Sequence, residues 1–288
     1  MTVRQLAVTA RWTAAARARE SARPDRLFHD PYAAALAGDD GHRLLESMER
    51  ASGGAENPYL AIRTRFFDDA ALARLTTAGP CQVVSVAAGL DTRPYRCAWP
   101  EGTVVYEVDQ PDPLTWKGTV LSTLGAVSGC RLRTVRTDLR GSWHTELGAA
   151  GFDASVPTLW LIEGLLVYLD HAHVETLLAQ VSALSSAGSL LVTDAVNSAL
   201  YDQPWAQPQL RLLEHLGMPW RSHIDDPVAF LARYGWSARV RLPGTADVAG
   251  GKRWPYPVPP HGAPGQARLF MIDAVRQHSG APVDLPHT

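Results

Sequence analysis

The chain has 288 residues, of which 46% are hydrophobic and 19% charged, and its formal net charge is −2. This length allows a sizeable core and one elaborated α/β domain. The near-neutral charge argues against nucleic acid as a partner, and no apolar run is long enough to cross a membrane.

The three cysteines, Cys81, Cys97 and Cys130, are odd in number and lack CxxC spacing. This pattern argues against a disulfide framework and against a metal site. It favours a reducing compartment, so we expect a cytoplasmic protein.

Alanine-rich and amphipathic segments predict helices in the first part of the chain. Helices are expected at 9–21, 31–37 and 58–78, and Gly79-Pro80 is expected to end the last of them. We interpret residues 1–78 as a helical cap on the domain that follows.

Strands and helices alternate beyond residue 80, which predicts a doubly wound α/β fold with a mostly parallel sheet. Continuous aliphatic and β-branched runs are typical of strands covered on both faces. Five such runs are present: Gln82–Ala87, Thr103–Val108, Leu132–Arg136, Thr158–Ile162 and Ser189–Thr193. An amphipathic helix is expected over 171–185.

The pattern loosens after Ala195. Helices are expected at 208–216 and 226–234, and strands at Trp236–Leu242 and Leu269–Ala274 bring the sheet to seven strands. Residues 243–266 are rich in glycine and proline, and a loop of this length is usually functional or disordered. We divide the single predicted domain, 1–288, as follows: helical cap 1–78, cofactor-binding core 79–195, substrate lid 196–266, closing strand 267–275, tail 276–288.

The most informative segment follows the first predicted strand, which runs into a small-residue turn at Ala88-Gly89. The next strand ends at Asp109, about 20 residues after the glycine, and a carboxylate at this place suits the two hydroxyls of a ribose. Glu107, two residues earlier on the same strand face, is the competing acid. The segment therefore predicts an adenosine-containing cofactor.

The turn lacks the GxGxxG pattern that a dinucleotide pyrophosphate requires. Its sequence is Ala87-Ala88-Gly89-Leu90, which favours S-adenosylmethionine over NAD. A tight strand-to-helix turn without any ligand, and a nicotinamide dehydrogenase, are the alternatives.

Several motifs in order resemble one family. They are TAAARARESARPDRLFHDPYAAAL at 13–36, IRTRFFDD at 62–69, VVSVAAGLDTRPYR at 83–96, YEVDQP at 106–111, TDL at 137–139 and EGLLVYL at 163–169. The chain resembles the leucine carboxyl methyltransferase family over about residues 9–195, in particular its bacterial branch of S-adenosylmethionine-dependent methyltransferases. The resemblance implies a class I (Rossmann-like) methyltransferase fold with S-adenosylmethionine as cofactor and S-adenosylhomocysteine as product.

The resemblance also implies roles for individual residues. Arg63 would hold the methionine carboxylate, the turn Ala87, Ala88 and Gly89 would approach the cofactor, and Asp109 with Gln110 would bind the ribose. The family usually has glycine where Ala87 stands. A surface arginine paired with Asp68 or Asp69 is the alternative for Arg63.

Three further positions follow from the same resemblance. Asp138 and Leu139 would flank the adenine, Glu163 would lie near the methionine ammonium, and Tyr168 would contact the substrate carboxylate or the reacting methyl. A helix N-cap is the alternative for Asp138, a packed acid for Glu163, and a core tyrosine for Tyr168.

These residues predict an O-methyltransferase acting on a carboxylate, or a hydroxyl, of a secondary metabolite or peptide. No catalytic base is assigned, because His144, His171, His173, His215, His223 and His261 lie in no catalytic motif. A carboxylate is already ionised at neutral pH and needs no base. A cofactor-binding protein that does not methylate is the alternative.

Residues around 197–265 are expected to cover the substrate. Trp205, Trp220, Trp254 and Tyr256 are candidates for an apolar pocket. Candidates for binding a substrate acid are Arg211, Arg221 and Lys252.

Overall fold

The computed structural model describes residues 3–54, 56–78, 82–260 and 263–277. The predicted helix-ending Gly79-Pro80, Cys81, His261 and most of the predicted tail lie outside these residues. No described helix is both long enough and apolar enough to serve as a membrane span.

The described residues form one seven-stranded sheet in the order β3-β2-β1-β4-β5-β7-β6. All neighbours are parallel except β7, which runs antiparallel to both β5 and β6. The predicted mostly parallel, seven-stranded α/β fold is therefore confirmed. The strands are β1 Gln82–Val86, β2 Val104–Asp109, β3 Arg131–Arg136, β4 Thr158–Ile162, β5 Leu190–Val196, β6 Trp236–Arg241 and β7 Leu269–Arg276.

Strands β1 and β4 are buried along their whole length, because helices cover both faces of the sheet. Helices lie between successive parallel strands in the sequence. The helices are α1 Val3–Ser21, α2 Ala33–Ala51, α3 Tyr59–Ala78, α4 Arg93–Arg96, α5 Pro111–Thr123, α6 Trp143–Ala149, α7 His171–Ala183, α8 Gln207–His215 and α9 Pro227–Ala232. Short 3₁₀ turns occur at Leu166–Tyr168, Ser198–Leu200 and Gly251–Arg253.

The amino-terminal helices pack on the edge of the sheet where the parallel strands end. Helix α1 lies over the turn after β1, since a Cβ added at Gly89 would be 3.5 Å from the Cβ of Ala10. Helix α2 is broken at Gly38, whose φ of +56° is a conformation that glycine adopts without steric cost. The predicted helix at 31–37 is only the first part of α2.

The glycine- and proline-rich segment 243–266 is attached to the amino-terminal part of the fold. Arg253 Nη1 lies 2.6 Å from a carboxylate oxygen of Glu20, at the end of α1, and Val248 packs in a core cluster. This segment is therefore tied down at its centre.

Candidate cofactor and acceptor site

A cavity of about 390 Å³ lies at the carboxyl ends of β1, β2, β4 and β5. This is the edge where ligands of open parallel sheets bind. Every residue to which the family resemblance gave a role lines it: Arg63, Ala87, Ala88, Gly89, Asp109, Gln110, Asp138, Leu139, Glu163 and Tyr168.

The turn after β1 is left-handed at two positions. Ala87 has φ +54° and Gly89 has φ +50°. A non-glycine residue in this region carries a cost of about 1–2 kcal/mol, so Ala87 is strained where glycine would not be. The Ala88 amide donates to the carbonyl of Val108 at 3.2 Å, which joins the turn to the end of β2.

Asp109, at the end of β2, is 7% exposed. Its two carboxylate oxygens accept from the backbone amides of Gly89 and Gln110, each at 2.6 Å. Burial raises the pKa of Asp109, although these two amide hydrogen bonds oppose the rise. The competing acid Glu107 instead forms a buried ion pair with Lys117 at 2.8 Å and is absent from the cavity lining.

The TDL motif follows β3. Asp138 accepts from the backbone amide of Arg140 at 2.9 Å and from its Nε at 3.0 Å, and these hydrogen bonds lower the pKa of Asp138. The alternative role of Asp138 as a helix N-cap is wrong, because α6 begins at Trp143 and its N-cap position is Ser142. Leu139 packs against the main core cluster and faces the cavity.

Arg63, on α3, is 9% exposed and lies between two acids. Its Nε is 3.1 Å from Glu163 Oε1, and its Nη1 is 3.2 Å from Asp194 Oδ2. The alternative of a surface arginine paired with Asp68 or Asp69 is therefore wrong. Gly164 allows the close packing, because a Cβ added there would lie 3.0 Å from Arg63 Nη1 and 3.1 Å from Nη2.

Asp194, on β5, is a cavity residue that sequence reasoning missed. It accepts from the Gly164 amide at 2.6 Å and from the Tyr59 hydroxyl at 3.3 Å. Burial raises its pKa, with Arg63 acting in the opposite direction. The predicted strand stopped at Thr193, whereas β5 continues to Val196. The signal that could have identified Asp194 is an acidic residue directly after the apolar run of the predicted strand.

Arg93 is a second missed cavity residue and links two of the quoted motifs. It is 3% exposed and pairs with Asp68 at 2.7 Å, Asp91 at 3.1 Å and Glu163 at 2.8 Å. Burial favours protonation of Glu163, yet Arg93 and Arg63 outweigh it and lower the pKa of that carboxyl. Burial also raises the pKa of Asp91, but the charge of Arg93 outweighs this effect and lowers the pKa to about 2.

These pairs belong to one continuous ion network beneath the cavity, with successive charges 2.7–4.0 Å apart. Among the described residues it contains five carboxylates and four guanidiniums, so its formal charge is −1. The carboxylates are those of Asp30, Asp68, Asp91, Glu163 and Asp194, and the guanidiniums are those of Arg17, Arg63, Arg93 and Arg96. A buried excess charge is costly unless a counter-charge is supplied. The network therefore favours a cationic ligand.

Aromatic side chains line the other end of the cavity. Tyr168, Trp12, Trp205 and Trp220 contribute to this lining, whereas the predicted Trp254 and Tyr256 do not. Trp254 packs in the core clusters. Of the segment expected to cover the substrate, part of 196–221 lines the cavity, including Trp205, Trp220 and Arg221, whereas Arg211 and the described residues of 243–266 do not.

Tyr168 lies where the two ends of the cavity meet. Burial raises the pKa of its hydroxyl, although the Trp220 indole N–H and the charge of Arg63 oppose this rise. The hydroxyl is therefore protonated at neutral pH and acts as a hydrogen-bond donor. The indole N–H of Trp220 lies beside it but makes no hydrogen bond of normal geometry.

The sheet order with an antiparallel β7, together with a cavity at the ends of the parallel strands, defines a class I methyltransferase fold. A solved structure described as a methyltransferase from Thermobifida fusca YX has the same architecture, with a TM-score of 0.61 and 17% identity. The similarity covers 93% of this chain and 94% of that one.

Residues 10–182 match the model of the leucine carboxyl methyltransferase family. A protein from Mycolicibacterium smegmatis is 39% identical over 269 residues, which is 86% of this chain and 87% of the relative. A protein from Mycolicibacterium gilvum is 47% identical over 203 residues, 65% of each chain. Both are named as S-adenosyl-L-methionine-dependent methyltransferases. The chain belongs to the leucine carboxyl methyltransferase family and is an S-adenosylmethionine-dependent methyltransferase.

The cavity suits this cofactor on two structural grounds. S-adenosylmethionine carries two positive centres and one carboxylate, so its net charge of about +1 at neutral pH opposes the excess negative charge of the network. Gln110 Oε1 is buried without a hydrogen-bond partner among the described residues. Such an acceptor requires a donor, and the ribose hydroxyls and adenine amine are donors.

Proposed function

We propose that the chain methylates a carboxylate oxygen of a small natural product or a peptide. In this proposal Arg63 binds the methionine carboxylate, Glu163 faces the ammonium and Asp109 accepts from the ribose hydroxyls. The cofactor supplies a methyl group on a positively charged sulfur, which is open to in-line displacement.

The adenine end of the proposed site is formed by residues that follow β1, β2 and β3. Asp138 would accept from the exocyclic amine, since its carboxylate is half exposed beside Arg140, and Leu139 would pack on the ring. Gln110 Oε1 would accept a ribose or adenine donor. Ala87, Ala88 and Gly89 provide the backbone surface under the cofactor.

One observation carries the choice of a carboxylate. The Tyr168 hydroxyl and the Trp220 indole N–H lie together at the junction of the two cavity ends. Both are donors, and an ionised carboxylate has only acceptor sites. Because that group is already a nucleophile at neutral pH, this chain needs to orient it and exclude water, and alignment alone accounts for about 7–11 kcal/mol in well-oriented systems.

A specific observation also supports a hydroxyl acceptor as the second candidate. His173 and Asp170 both line the cavity, and His173 Nδ1 is 2.7 Å from Asp170 Oδ1. Such a pair leaves Nε2 available to take a proton from a hydroxyl. Asp170 also caps α7 through the backbone amide of His173 at 2.9 Å, so the pair has a structural role in either case.

The test is incubation with S-adenosylmethionine carrying a labelled methyl group and a panel of organic acids, phenols and peptides. Methyl esters release labelled methanol in mild base, whereas methyl ethers do not. We expect base-labile label from acids, with His173→Gln retaining most of the activity.

Base-stable label that His173→Gln abolishes would establish the hydroxyl reaction instead. Tight binding of S-adenosylhomocysteine without transfer to any acceptor would favour the alternative of a cofactor-binding protein that does not methylate. The affinity of His173→Gln for S-adenosylhomocysteine serves as the folding control. If that affinity is unchanged, a loss of activity in this variant does not come from unfolding.

A further inference from the structure

Among the described residues, five arginines line the cavity: Arg17, Arg63, Arg93, Arg140 and Arg221. Carboxylates hold the first four, at distances of 2.5–3.2 Å. Arg221 differs from them, because within the described part of the chain its side chain forms no ion pair. A cavity arginine without a carboxylate is free to bind an anionic ligand.

The backbone fixes Arg221 at the rim of the acceptor end. Its amide donates to the carbonyl of Val167 at 2.6 Å, and the next residue, Ser222, donates through Oγ to the carbonyl of Leu166 at 2.7 Å. The segment is thereby attached to the 3₁₀ turn that carries Tyr168. Arg221 is exposed, whereas Arg63 at the cofactor end is buried, so the two cations lie at different depths.

Among the described residues, Asp170 is an acid that senses the charge of Arg221 without pairing with it. The amide hydrogen bond from His173 lowers the pKa of Asp170 and Arg221 adds to this effect, but the two side chains form no ion pair, and Asp170 Oδ1 accepts from the His173 amide and lies 2.7 Å from its Nδ1. The guanidinium therefore keeps its donors for another anion.

The surface between Arg221 and the interior is apolar and aromatic. Trp205, which is 59% exposed, lines the mouth and stacks on Tyr256 with ring centroids 6.4 Å apart and an interplanar angle of 14°. Large aromatic side chains left exposed at a cavity are typical of ligand contact surfaces. The Nε1 atoms of Trp12 and Trp220 are buried without an acceptor among the described residues, so a ligand with oxygen acceptors would satisfy them.

Resting on the proposed function, we infer that the acceptor has two polar ends joined by an apolar body. One end is the oxygen that is methylated, near Tyr168. The other end is an anionic group, such as a second carboxylate, which Arg221 binds at the mouth. The body between them lies against Trp205 and Trp220. Arg221 is thus a specificity-determining residue.

The test uses product-like probes whose reactive end is already an ester. Three monomethyl esters of aromatic dicarboxylic acids, with phenyl, naphthyl and biphenyl bodies, present one remaining carboxylate. The corresponding dimethyl esters present none. Affinities are measured by calorimetry with S-adenosylhomocysteine in excess, for wild type, Arg221→Gln and the matched control Arg211→Gln. Arg211 is an exposed arginine on α8 that does not line the cavity.

We expect Arg221→Gln to bind at least one monoester about tenfold more weakly than wild type, because a charge-assisted contact at a partly exposed site is lost. Dimethyl esters should bind wild type and variant equally, and Arg211→Gln should behave as wild type. The monoester affinity of wild type should also fall with added salt.

Equal affinity of wild type and Arg221→Gln for all three monoesters, including no measurable binding by either, overturns the inference. The parent dicarboxylates are then tested for methyl transfer by mass spectrometry. An Arg221-dependent affinity without ester formation means that the proposed carboxylate methylation has failed while the inference stands. Ester formation combined with an affinity that does not depend on Arg221 means that the proposed carboxylate methylation stands and the inference about Arg221 has failed.

Discussion

Gly164→Ala tests the central contact of the proposed cofactor site without replacing a polar side chain. Gly164 has φ +63°, and a Cβ added there would meet Arg63 Nη1 at 3.0 Å, Nη2 at 3.1 Å and Cζ at 3.3 Å. The guanidinium has to move by a few tenths of an ångström, which disturbs its contacts with Glu163 and Asp194.

The substitution has two effects of different kinds. The left-handed backbone costs about 1–2 kcal/mol for alanine, and the stiffer unfolded chain returns about 0.4–1 kcal/mol. The net loss in the free energy of unfolding is therefore about 1 kcal/mol. The displacement of Arg63 adds a loss in cofactor affinity of about 1.5–3 kcal/mol, the usual value of a hydrogen bond to a charged group.

Gly188→Ala is the matched control, because Gly188 has φ +79° and no atom lies within 4 Å of an added Cβ. It carries the same backbone cost and leaves Arg63 in place. Unfolding in urea measures stability, and calorimetry with S-adenosylhomocysteine measures affinity. Gly164→Ala should lose at least as much stability as Gly188→Ala, because it also disturbs the buried ion pairs of Arg63, but only Gly164→Ala should bind S-adenosylhomocysteine about 10- to 100-fold more weakly. Equal affinity of the two variants would refute the role of Arg63 in cofactor binding.

Three further predictions concern the turn and its neighbours. Asp109→Asn should weaken S-adenosylhomocysteine binding by about 1–3 kcal/mol, measured by calorimetry; unchanged affinity would remove Asp109 from the site. Ala87→Gly should raise the free energy of unfolding by up to about 1 kcal/mol, because relief of about 1–2 kcal/mol of strain outweighs the entropy cost of glycine; a loss of stability in urea would contradict this. Asp91→Asn should lower the free energy of unfolding by about 2 kcal/mol at pH 7. Because the folded pKa of Asp91, about 2, lies below the ordinary 3.8, this difference should be present above pH 3.8 and disappear as pH falls towards 2; a constant difference between pH 7 and pH 3 would count against it.

The sequence was sufficient to predict the sheet, because the central strands β1 and β4 are short, fully buried runs, while the edge strand β3 is mostly exposed and polar. It also predicted which residues line the cofactor end of the cavity, since Asp109, Asp138 and Glu163 come at strand ends that meet at one edge. The roles of these residues in cofactor binding are predictions, which the affinity measurements above test.

Other features depend on contacts between distant residues that no local pattern encodes. Arg93 looks like a surface cation in the sequence, yet it pairs with Asp68, 25 positions earlier, and with Glu163. Asp194 was missed because the predicted strand ended at Thr193, three residues before the end of β5 at Val196. Trp205 and Trp254 each lie next to a proline in the sequence. Only the packing shows that Trp205 lines the cavity and that Trp254 packs against the core.

The position of β7 has a consequence for biosynthesis. This strand follows the other six described strands in the sequence, yet it pairs with β5 along seven residues and separates it from β6. Until Leu269–Arg276 has left the ribosome, β5 presents an unpaired edge, and such edges promote association with other chains. Nascent chains interrupted before Leu269 should therefore aggregate or require a chaperone, and Asp194 on β5 acquires its final surroundings only after β7 has been synthesised.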